Sequence, residues 1–260
     1  MSGSPDHPLA VLRRHTQARI ALGRHGAGLP TAAHLDFAEA HARARDAVHA
    51  RFDEDSIAAA LGDGGVHSLR VASEAEGRPQ YLRRPDLGRR LACASKADLE
   101  ALGLGAPDLC LVIGDGLSAE AVNTYAAETA LGVLALLPRD LQVTPVLLAT
   151  GARVALSDPI GEALRARLVL MLIGERPGLS AADSLGAYIT HAPRSGRTDA
   201  DRNCVSNIRI GGLAPSLAAA KLAGLLTRSL ALGFSGVRLK DDEGLIETAA
   251  TSIPIAGTSP

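Results

Sequence analysis

The sequence predicts an α/β protein in which a parallel sheet is covered by helices on both faces. From about residue 95, short apolar runs that are typical of buried strands alternate with longer helical segments. We expect strands at residues 109–113, 143–149, 168–173 and 236–239, and helices at residues 118–137, 159–166 and 216–232. Strands separated by helices are typical of a parallel sheet, because each connection has to cross back over one face of the sheet.

The first part of the chain has a different composition. Residues 1 to about 30 are rich in Gly, Pro, Ser and His and have little predicted structure. We expect helices at residues 31–50 and 56–61, an extended segment at residues 66–72 and an arginine-dense turn at residues 81–91. The predicted organisation is an N-terminal arm and small helical domain at residues 1–94, an α/β domain at residues 95–240 and a flexible tail at residues 241–260.

The overall composition excludes several classes of function. The chain has 260 residues, a formal net charge of −1 and 2% aromatic residues. This composition argues against a polyanionic partner and against single-stranded nucleic acid, which needs aromatic stacking surfaces. Cys93, Cys110 and Cys204 have no paired spacing, so we expect neither a disulfide nor a zinc site, and we expect a reducing cytoplasm. We also expect no signal peptide and no membrane span, because no apolar segment is long enough.

The glycine-rich segment at residues 114–119 has two interpretations. Its sequence, Gly-Asp-Gly-Leu-Ser-Ala, matches the G-x-G-x-x-A fingerprint of dinucleotide-binding folds. In that fingerprint a pyrophosphate rests on the backbone N–H groups of a helix N-terminus, and Asp115 would place a negative charge beside it. The other interpretation is a tight turn between a strand and a helix, with Ser118 as the helix cap. A stand-alone NAD-binding module is therefore kept as an alternative.

Other residue patterns give weaker signals. His34, His41 and His49 share one face of the predicted helix at residues 31–50, but no carboxylate or cysteine completes a metal-binding set. We therefore predict no metal site and interpret these histidines as helix or interface residues. The P-loop and G-x-S-x-G motifs are absent from the sequence. The arginine pairs at residues 83–84 and 89–90 could bind anions or form a solvated turn, but arginine is typical of interfaces, so we favour a surface that faces a partner protein.

The clearest indication of a site is where the predicted strand at residues 168–173 ends. The apolar run stops at Gly174-Glu175-Arg176-Pro177-Gly178, a charged and turn-forming segment. A second polar segment, predicted as a turn, follows at residues 201–207, far enough along the chain to return to the same edge of the sheet. Open α/β sheets bind ligands at the carboxyl ends of their strands, so these segments predict a site there.

Several motifs, in this order, resemble the small subunit of ethanolamine ammonia-lyase. They are Ala40-His41-Ala42-Arg43-Ala44-Arg45-Asp46-Ala47-Val48, Asp115-Gly116-Leu117-Ser118-Ala119, Ile173-Gly174-Glu175-Arg176-Pro177-Gly178-Leu179 and Asp201-Arg202-Asn203-Cys204. The resemblance extends over most of residues 16–240. Gln17, Gly77 and Tyr125 depart from the family pattern, but none of them is at a position where the family contacts its cofactor.

The resemblance implies a Rossmann-like α/β domain preceded by a small helical region, and a hetero-oligomer with a large TIM-barrel subunit. In this family adenosylcobalamin lies between the two subunits, and ethanolamine is converted into acetaldehyde and ammonia by a radical mechanism. Val154, Glu175 and Cys204 match the cobalamin contacts of the small subunit, and the resemblance assigns no catalytic residue to this chain. The sequence has no D-x-H-x-x-G motif, which agrees with cobalamin bound in its base-on form.

The resemblance also bears on location. Some family members have an amphipathic leader that resembles an address for a bacterial microcompartment. The corresponding segment, residues 8–14, is too short to form a stable helix alone. We therefore expect a cytoplasmic protein without a clear targeting leader, and a microcompartment is kept as an alternative location.

Overall fold

The computed structural model describes residues 9–240, which form an α/β fold around a mixed six-stranded sheet. The strands are β1 (Ser68–Ala72), β2 (Leu109–Gly114), β3 (Val146–Thr150), β4 (Leu168–Gly174), β5 (Leu185–His191) and β6 (Arg202–Ile208). Their order across the sheet is β1-β3-β2-β4-β5-β6. The pairs among β1, β3, β2 and β4 are parallel, whereas β5 is antiparallel to β4 and β6 is antiparallel to β5.

Helices cover both faces of the sheet. They are α1 (Thr31–His49), α2 (Glu54–Asp63), α3 (Arg78–Arg83), α4 (Cys93–Ala101), α5 (Ala119–Leu136), α6 (Ser157–Leu164) and α7 (Pro215–Leu232). One hydrophobic core lies between the sheet and α2, α5 and α7, and a second lies between the sheet and α4 and α6. Alternate residues of β2 enter opposite cores, Leu111 and Ile113 the first and Cys110 and Val112 the second. The central strands are therefore apolar on both faces, as a doubly covered sheet requires.

Close packing of small residues compensates for the scarcity of aromatic side chains. Helices α5 and α7 approach each other closely where Gly132 faces Ala219. A β-carbon at position 132 would lie 2.9 Å from the β-carbon of Ala219, which is tighter than ordinary contact. Small side chains at such positions let two helices fill the space that a larger side chain would otherwise occupy.

The prediction of an entirely parallel sheet is wrong, because it misses β5 and β6. The polar segment at residues 201–207, predicted as a turn, is in fact most of β6. This strand lies at the edge of the sheet, and its pairing with β5 contains a β-bulge near residues 185–187. The buried positions of β6 are Arg202, Val205 and Ile208. Their spacing conceals the alternation by which a strand is normally identified.

The strand predicted at residues 236–239 is also wrong, because the chain forms a short 3-10 helix at Gly236–Arg238. The side chain of Asn203, on β6, takes the backbone groups that a neighbouring strand would otherwise bind. Its Oδ1 accepts a hydrogen bond from the Gly236 N–H at 2.7 Å, and its Nδ2 donates to the Leu239 carbonyl at 2.9 Å. The Asn203 side chain thus binds the backbone of this segment in place of a neighbouring strand.

The predicted helices and the remaining strands are confirmed within a few residues of their predicted ends. Strand β1 comes from the predicted N-terminal region and pairs with β3, so it belongs to the central sheet. The domain boundary near residue 94 stays a prediction, and the predicted tail at residues 241–260 lies outside the described residues. Among residues 9–240, no helix is both long enough and apolar enough to cross a membrane.

Candidate functional site

The carboxyl ends of the four parallel strands lie along one edge of the sheet. After β2 the chain enters α5 on one face, and after β3 it enters α6 on the opposite face. Because neighbouring loops diverge at this point, a crevice opens between them, and open α/β sheets bind ligands in such crevices. Glu175 directly follows β4 and therefore lies at the same edge.

A buried carboxylate, Asp115, joins the loops that follow β2 and β3. Its Oδ1 accepts hydrogen bonds from the backbone N–H of Ala152 at 2.7 Å and of Gly116 at 2.9 Å. Its Oδ2 lies 3.4 Å from the Nη1 atom of Arg78. Burial raises the pKa of Asp115 to about 6, although the backbone donors and Arg78 favour the ionised form. Asp115 thus holds two loops of the crevice in one arrangement.

Arg78 of α3 extends this network to α1. Its guanidinium donates hydrogen bonds to the backbone carbonyls of Gly116 at 2.7 Å, Leu117 at 3.0 Å and Val48 at 2.7 Å. Val48 is close to the end of α1, so a single side chain fixes that helix to the loop after β2. The five donors of a planar guanidinium can reach several acceptors at once, which the ammonium group of a lysine cannot do in the same geometry.

The glycine-rich turn after β2 is closed to a phosphate group. The Leu117 N–H donates to the Gly174 carbonyl at 2.9 Å, and the Ala121 N–H donates to the Ser118 hydroxyl at 3.3 Å. A β-carbon at position 116 would lie 2.2 Å from the Gly174 carbonyl oxygen, so the end of β4 packs directly on the turn. Amide groups that would cradle a pyrophosphate are therefore bonded within the protein. This geometry favours the structural turn over the NAD interpretation.

A cavity of about 220 Å³ opens beside this turn, and we call it the edge cavity. Val154 and Glu175 both line it, together with the apolar surfaces of Ile173 and Tyr188. Cys204 does not line the edge cavity itself. It lies opposite Tyr188, which does, in the pairing of β5 with β6. The fold thus brings Val154 and Glu175 to one cavity, whereas Cys204 lies farther from the carboxyl edge, level with Met171 of β4. The role of all three residues as cofactor contacts stays a prediction.

The carboxylate of Glu175 is held by donors from β6 and from the residue that precedes β5. It accepts hydrogen bonds from the hydroxyl of Ser206 at 2.6 Å, from the hydroxyl of Ser184 at 2.5 Å and from the backbone N–H of Asn207 at 3.3 Å. It lies over Gly186, where a β-carbon would be 2.9 Å from Oε1. A carboxylate offers about four acceptor positions, so about one is left for a ligand. Glu175 therefore braces the turn after β4 and keeps a limited capacity to bind.

Cys204 is a free and exposed cysteine on β6. Desolvation by the neighbouring strands raises the pKa of its thiol; a hydrogen bond from Tyr188 opposes the rise, and the carboxylate of Glu175 adds to it. The thiol is therefore neutral near pH 7. It offers a small polarisable contact and lacks the thiolate character of a nucleophile.

Arg153 and Tyr81 are candidate residues that the sequence analysis misses. The guanidinium of Arg153 stacks on the Tyr81 ring at 4.2 Å from its centre, and the Tyr81 hydroxyl donates to the Ala152 carbonyl at 2.9 Å. The Nε atom of Arg153 is buried and has no hydrogen-bond partner among residues 9–240. Buried polar atoms almost always have a partner, so this donor is unusual. The sequence gives only a weak indication of these two residues, namely that tyrosine is rare in it. Two of the three tyrosines, Tyr81 and Tyr188, line the edge cavity.

Of the three histidines of α1, His49 lines a cavity of about 430 Å³ together with Arg78, Tyr81 and Asp115, whereas His34 and His41 line neither this cavity nor the edge cavity. His34, His41 and His49 are exposed, and His41 stacks on Phe37 with 6.2 Å between the ring centres. Across the described part of the chain, no three His, Cys, Asp or Glu side chains are grouped so that they could hold a metal ion. A role for these histidines at an interface stays a prediction.

Comparisons with known proteins agree on one family. The family model for the ethanolamine ammonia-lyase light chain (EutC) matches residues 6–240. The ethanolamine ammonia-lyase small subunit of Bradyrhizobium diazoefficiens is 53% identical over 240 residues, which cover 92% of this chain and 92% of that protein. Its counterpart in Rhodopseudomonas palustris is 51% identical over 253 residues, with 96% and 97% covered. The small subunit of Pseudomonas putida strain KT2440 is 50% identical over 250 residues, with 92% and 89% covered.

Proposed function

This chain belongs to the ethanolamine ammonia-lyase light chain family, and on that premise we propose that it holds adenosylcobalamin against a large TIM-barrel subunit. It is the small subunit of an enzyme complex that converts ethanolamine into acetaldehyde and ammonia. One observation carries the proposal for the cofactor. Val154 and Glu175 share the edge cavity, and Cys204 lies opposite the Tyr188 that lines it.

The residues around the edge cavity fit a corrin ring, whose rim carries both apolar methyl groups and amide groups. Val154, Ile173 and Tyr188 provide apolar surface. Glu175 keeps about one acceptor position for an amide N–H, as its three protein donors leave the carboxylate incompletely occupied. The lining is therefore both apolar and able to bind amides.

The residues of this chain bind and orient. Adenosylcobalamin, when bound, would supply the radical chemistry of the reaction. Asp115 and Arg78 keep the loops after β2 and β3 in place, so that Val154 faces the cavity in a fixed position. We assign no catalytic residue to this chain and attribute the substrate-binding and radical-handling groups to the large subunit.

We describe strands β1–β4 with α5 and α6 as a Rossmann-like unit. The helices after β2 and β3 pack on opposite faces of the sheet, as they do at the switch point of doubly wound folds. Strands β5 and β6 add an antiparallel extension, and β6 contributes two of the donors that hold Glu175. A cytoplasmic location is part of the proposal.

Reconstitution with the cognate large subunit tests the proposal. The purified chain, the large subunit and their mixture are each incubated with adenosylcobalamin, and bound cobalamin is measured by its visible absorbance after gel filtration. We expect bound cobalamin and acetaldehyde from the mixture and no turnover from this chain alone. Deamination of ethanolamine by this chain alone would contradict the proposal, and so would a mixture that binds NAD but no cobalamin.

A further inference from the structure

A second cleft, rich in arginine, borders the edge cavity. It has a volume of about 660 Å³ and shares Arg153 and Val154 with the edge cavity. Five arginines and two aspartates line it, so it is positively charged. We call it the arginine cleft and define it by Arg89, Arg90, Arg153, Arg197 and Arg202.

Three of the five arginines are already committed to protein acceptors. Arg202 is buried and makes a bidentate ion pair with Asp158, at 2.6 and 2.7 Å. Arg90 pairs with Asp86 at 2.8 Å and also with Glu74. Arg197 donates to backbone carbonyls of residues 191 and 192 and lies near Asp201. These three side chains build the wall and floor of the arginine cleft and leave little capacity for a ligand.

The other two, Arg89 and Arg153, have no carboxylate partner among residues 9–240. Arg153 is oriented by its stacking on Tyr81, and its buried Nε has no partner in the same range. Its backbone N–H donates to the Gly88 carbonyl at 2.8 Å, which joins it to the residue before Arg89. A β-carbon at position 88 would lie 2.9 Å from the Arg153 side chain, so this approach requires glycine. The backbone thus places Arg153 beside the segment that carries the exposed Arg89. Of the Arg153 guanidinium, Nη2 donates to the Tyr81 carbonyl at 3.3 Å, which leaves its other N–H groups for a ligand.

We propose that Arg153 and Arg89 bind a phosphate-class anion at the point where the arginine cleft meets the edge cavity. A guanidinium forms paired hydrogen bonds with phosphate oxygens, and a stacked, preoriented one loses little freedom on binding. The natural source of the phosphate follows from the proposed function, and in this respect the inference rests on that function. That source is the phosphodiester in the nucleotide loop of cobalamin. Free inorganic phosphate has the same chemistry and is the other source to be distinguished.

The experiment compares two cobalamin probes on the complex assembled with the large subunit. Cyanocobalamin contains the phosphodiester, and dicyanocobinamide lacks the whole nucleotide loop. Their affinities are measured by absorbance titration for the wild type, Arg153→Met, Arg89→Met and a control, Arg139→Met. Arg139 is an exposed arginine in the loop before β3, at the opposite edge of the sheet.

We expect Arg153→Met to weaken cyanocobalamin binding by about 10- to 100-fold, as the loss of a charge-assisted hydrogen bond does, with a smaller effect for Arg89→Met. Cobinamide affinity should be unchanged in both variants, and Arg139→Met should match the wild type with both probes. Equal losses for the two probes would overturn the inference, because Arg153 would then act on the shape of the edge cavity. Unchanged cyanocobalamin affinity in Arg153→Met would overturn it as well.

A calorimetric titration with inorganic phosphate separates the two sources and the two proposals. We expect phosphate to bind the cobalamin-free wild-type complex, to bind Arg153→Met at least 10-fold more weakly and to be displaced by cyanocobalamin. Phosphate that still binds once cobalamin is loaded would contradict the phosphodiester as the source. A wild-type complex that binds phosphate through Arg153 but binds no cobalamin would refute the proposed function and leave the anion site intact. Absence of phosphate binding together with unchanged cobalamin affinity in the variants would refute the anion site alone.

Discussion

The protonation of Asp115 gives a sharp test of the loop network at the sheet edge. Asp115 is 6% exposed, and burial raises the pKa of its carboxyl from 3.8 to about 6. At about 1.36 kcal/mol per pKa unit, this rise corresponds to a stabilisation of about 3 kcal/mol by the protonated form. Because the folded state holds the proton more tightly than the unfolded chain does, this stabilisation is present below pH 3.8. It is lost as the pH rises through about 6.

The variant Asp115→Asn removes the titration and keeps an oxygen for the amides of Ala152 and Gly116. We expect the free energy of unfolding of the wild type to fall by about 2 kcal/mol relative to this variant between pH 4.5 and pH 7.5, which is most of the total change. The assay is urea unfolding of the purified chain at four pH values in this range. Asp108→Asn is the control, because the pKa of Asp108 is lowered, chiefly by a backbone hydrogen bond from Gln142. A difference between wild type and Asp115→Asn that does not change with pH would refute the reasoning.

Two further predictions concern stability and the edge cavity. The buried ion pair between Asp158 and Arg202 leaves both side chains at most 3% exposed, so Asp158→Asn should cost about 3–5 kcal/mol in urea unfolding. The double variant Asp158→Asn/Arg202→Met should recover most of that loss, and equal destabilisation of both variants would contradict the explanation. Glu175→Ala should weaken cobalamin binding to the assembled complex by about 5- to 150-fold, because it removes one polar contact and the brace of the turn after β4. Glu175→Gln should be milder in the same titration, and an equal loss in both would assign the effect to charge.

The strands of the central sheet could be predicted because they are buried on both faces, so their sequences are continuous apolar runs. Strand β4 is buried along its whole length, and its continuous apolar run identifies it without further information. Strand β6 could not be predicted in the same way. It lies at the sheet edge, and a bulge interrupts the alternation of its buried residues, so that its polar residues resemble a turn.

The sequence was enough to predict where the site lies, but it identified only some of the residues that form it. Glu175 follows an apolar strand directly, so local sequence is enough to assign it to the carboxyl edge. Tyr81 and Arg153 meet across 72 residues of sequence, and no local pattern encodes such a contact. The glycine-rich turn after β2 shows the opposite case, in which a motif matches but the packing of Gly174 on the turn excludes a phosphate. Tertiary contacts therefore decide between interpretations that the sequence leaves open.

Cobalamin bound at the edge cavity would be sensitive to a single charge introduced there, and this sensitivity tests the proposed function most directly. Val154 is partly buried in the cavity wall, whereas Val237 is 70% exposed and lies after α7, in the 3-10 helix at Gly236–Arg238. Complexes of the large subunit with Val154→Glu or with Val237→Glu are titrated with cobalamin, and assembly is checked by gel filtration. We predict a loss of affinity of at least 10-fold in Val154→Glu and none in Val237→Glu, because a longer, charged side chain at position 154 would occupy the cavity wall and would have to be desolvated against an apolar ligand surface. Equal and undiminished affinity in both complexes would show that cobalamin binds elsewhere.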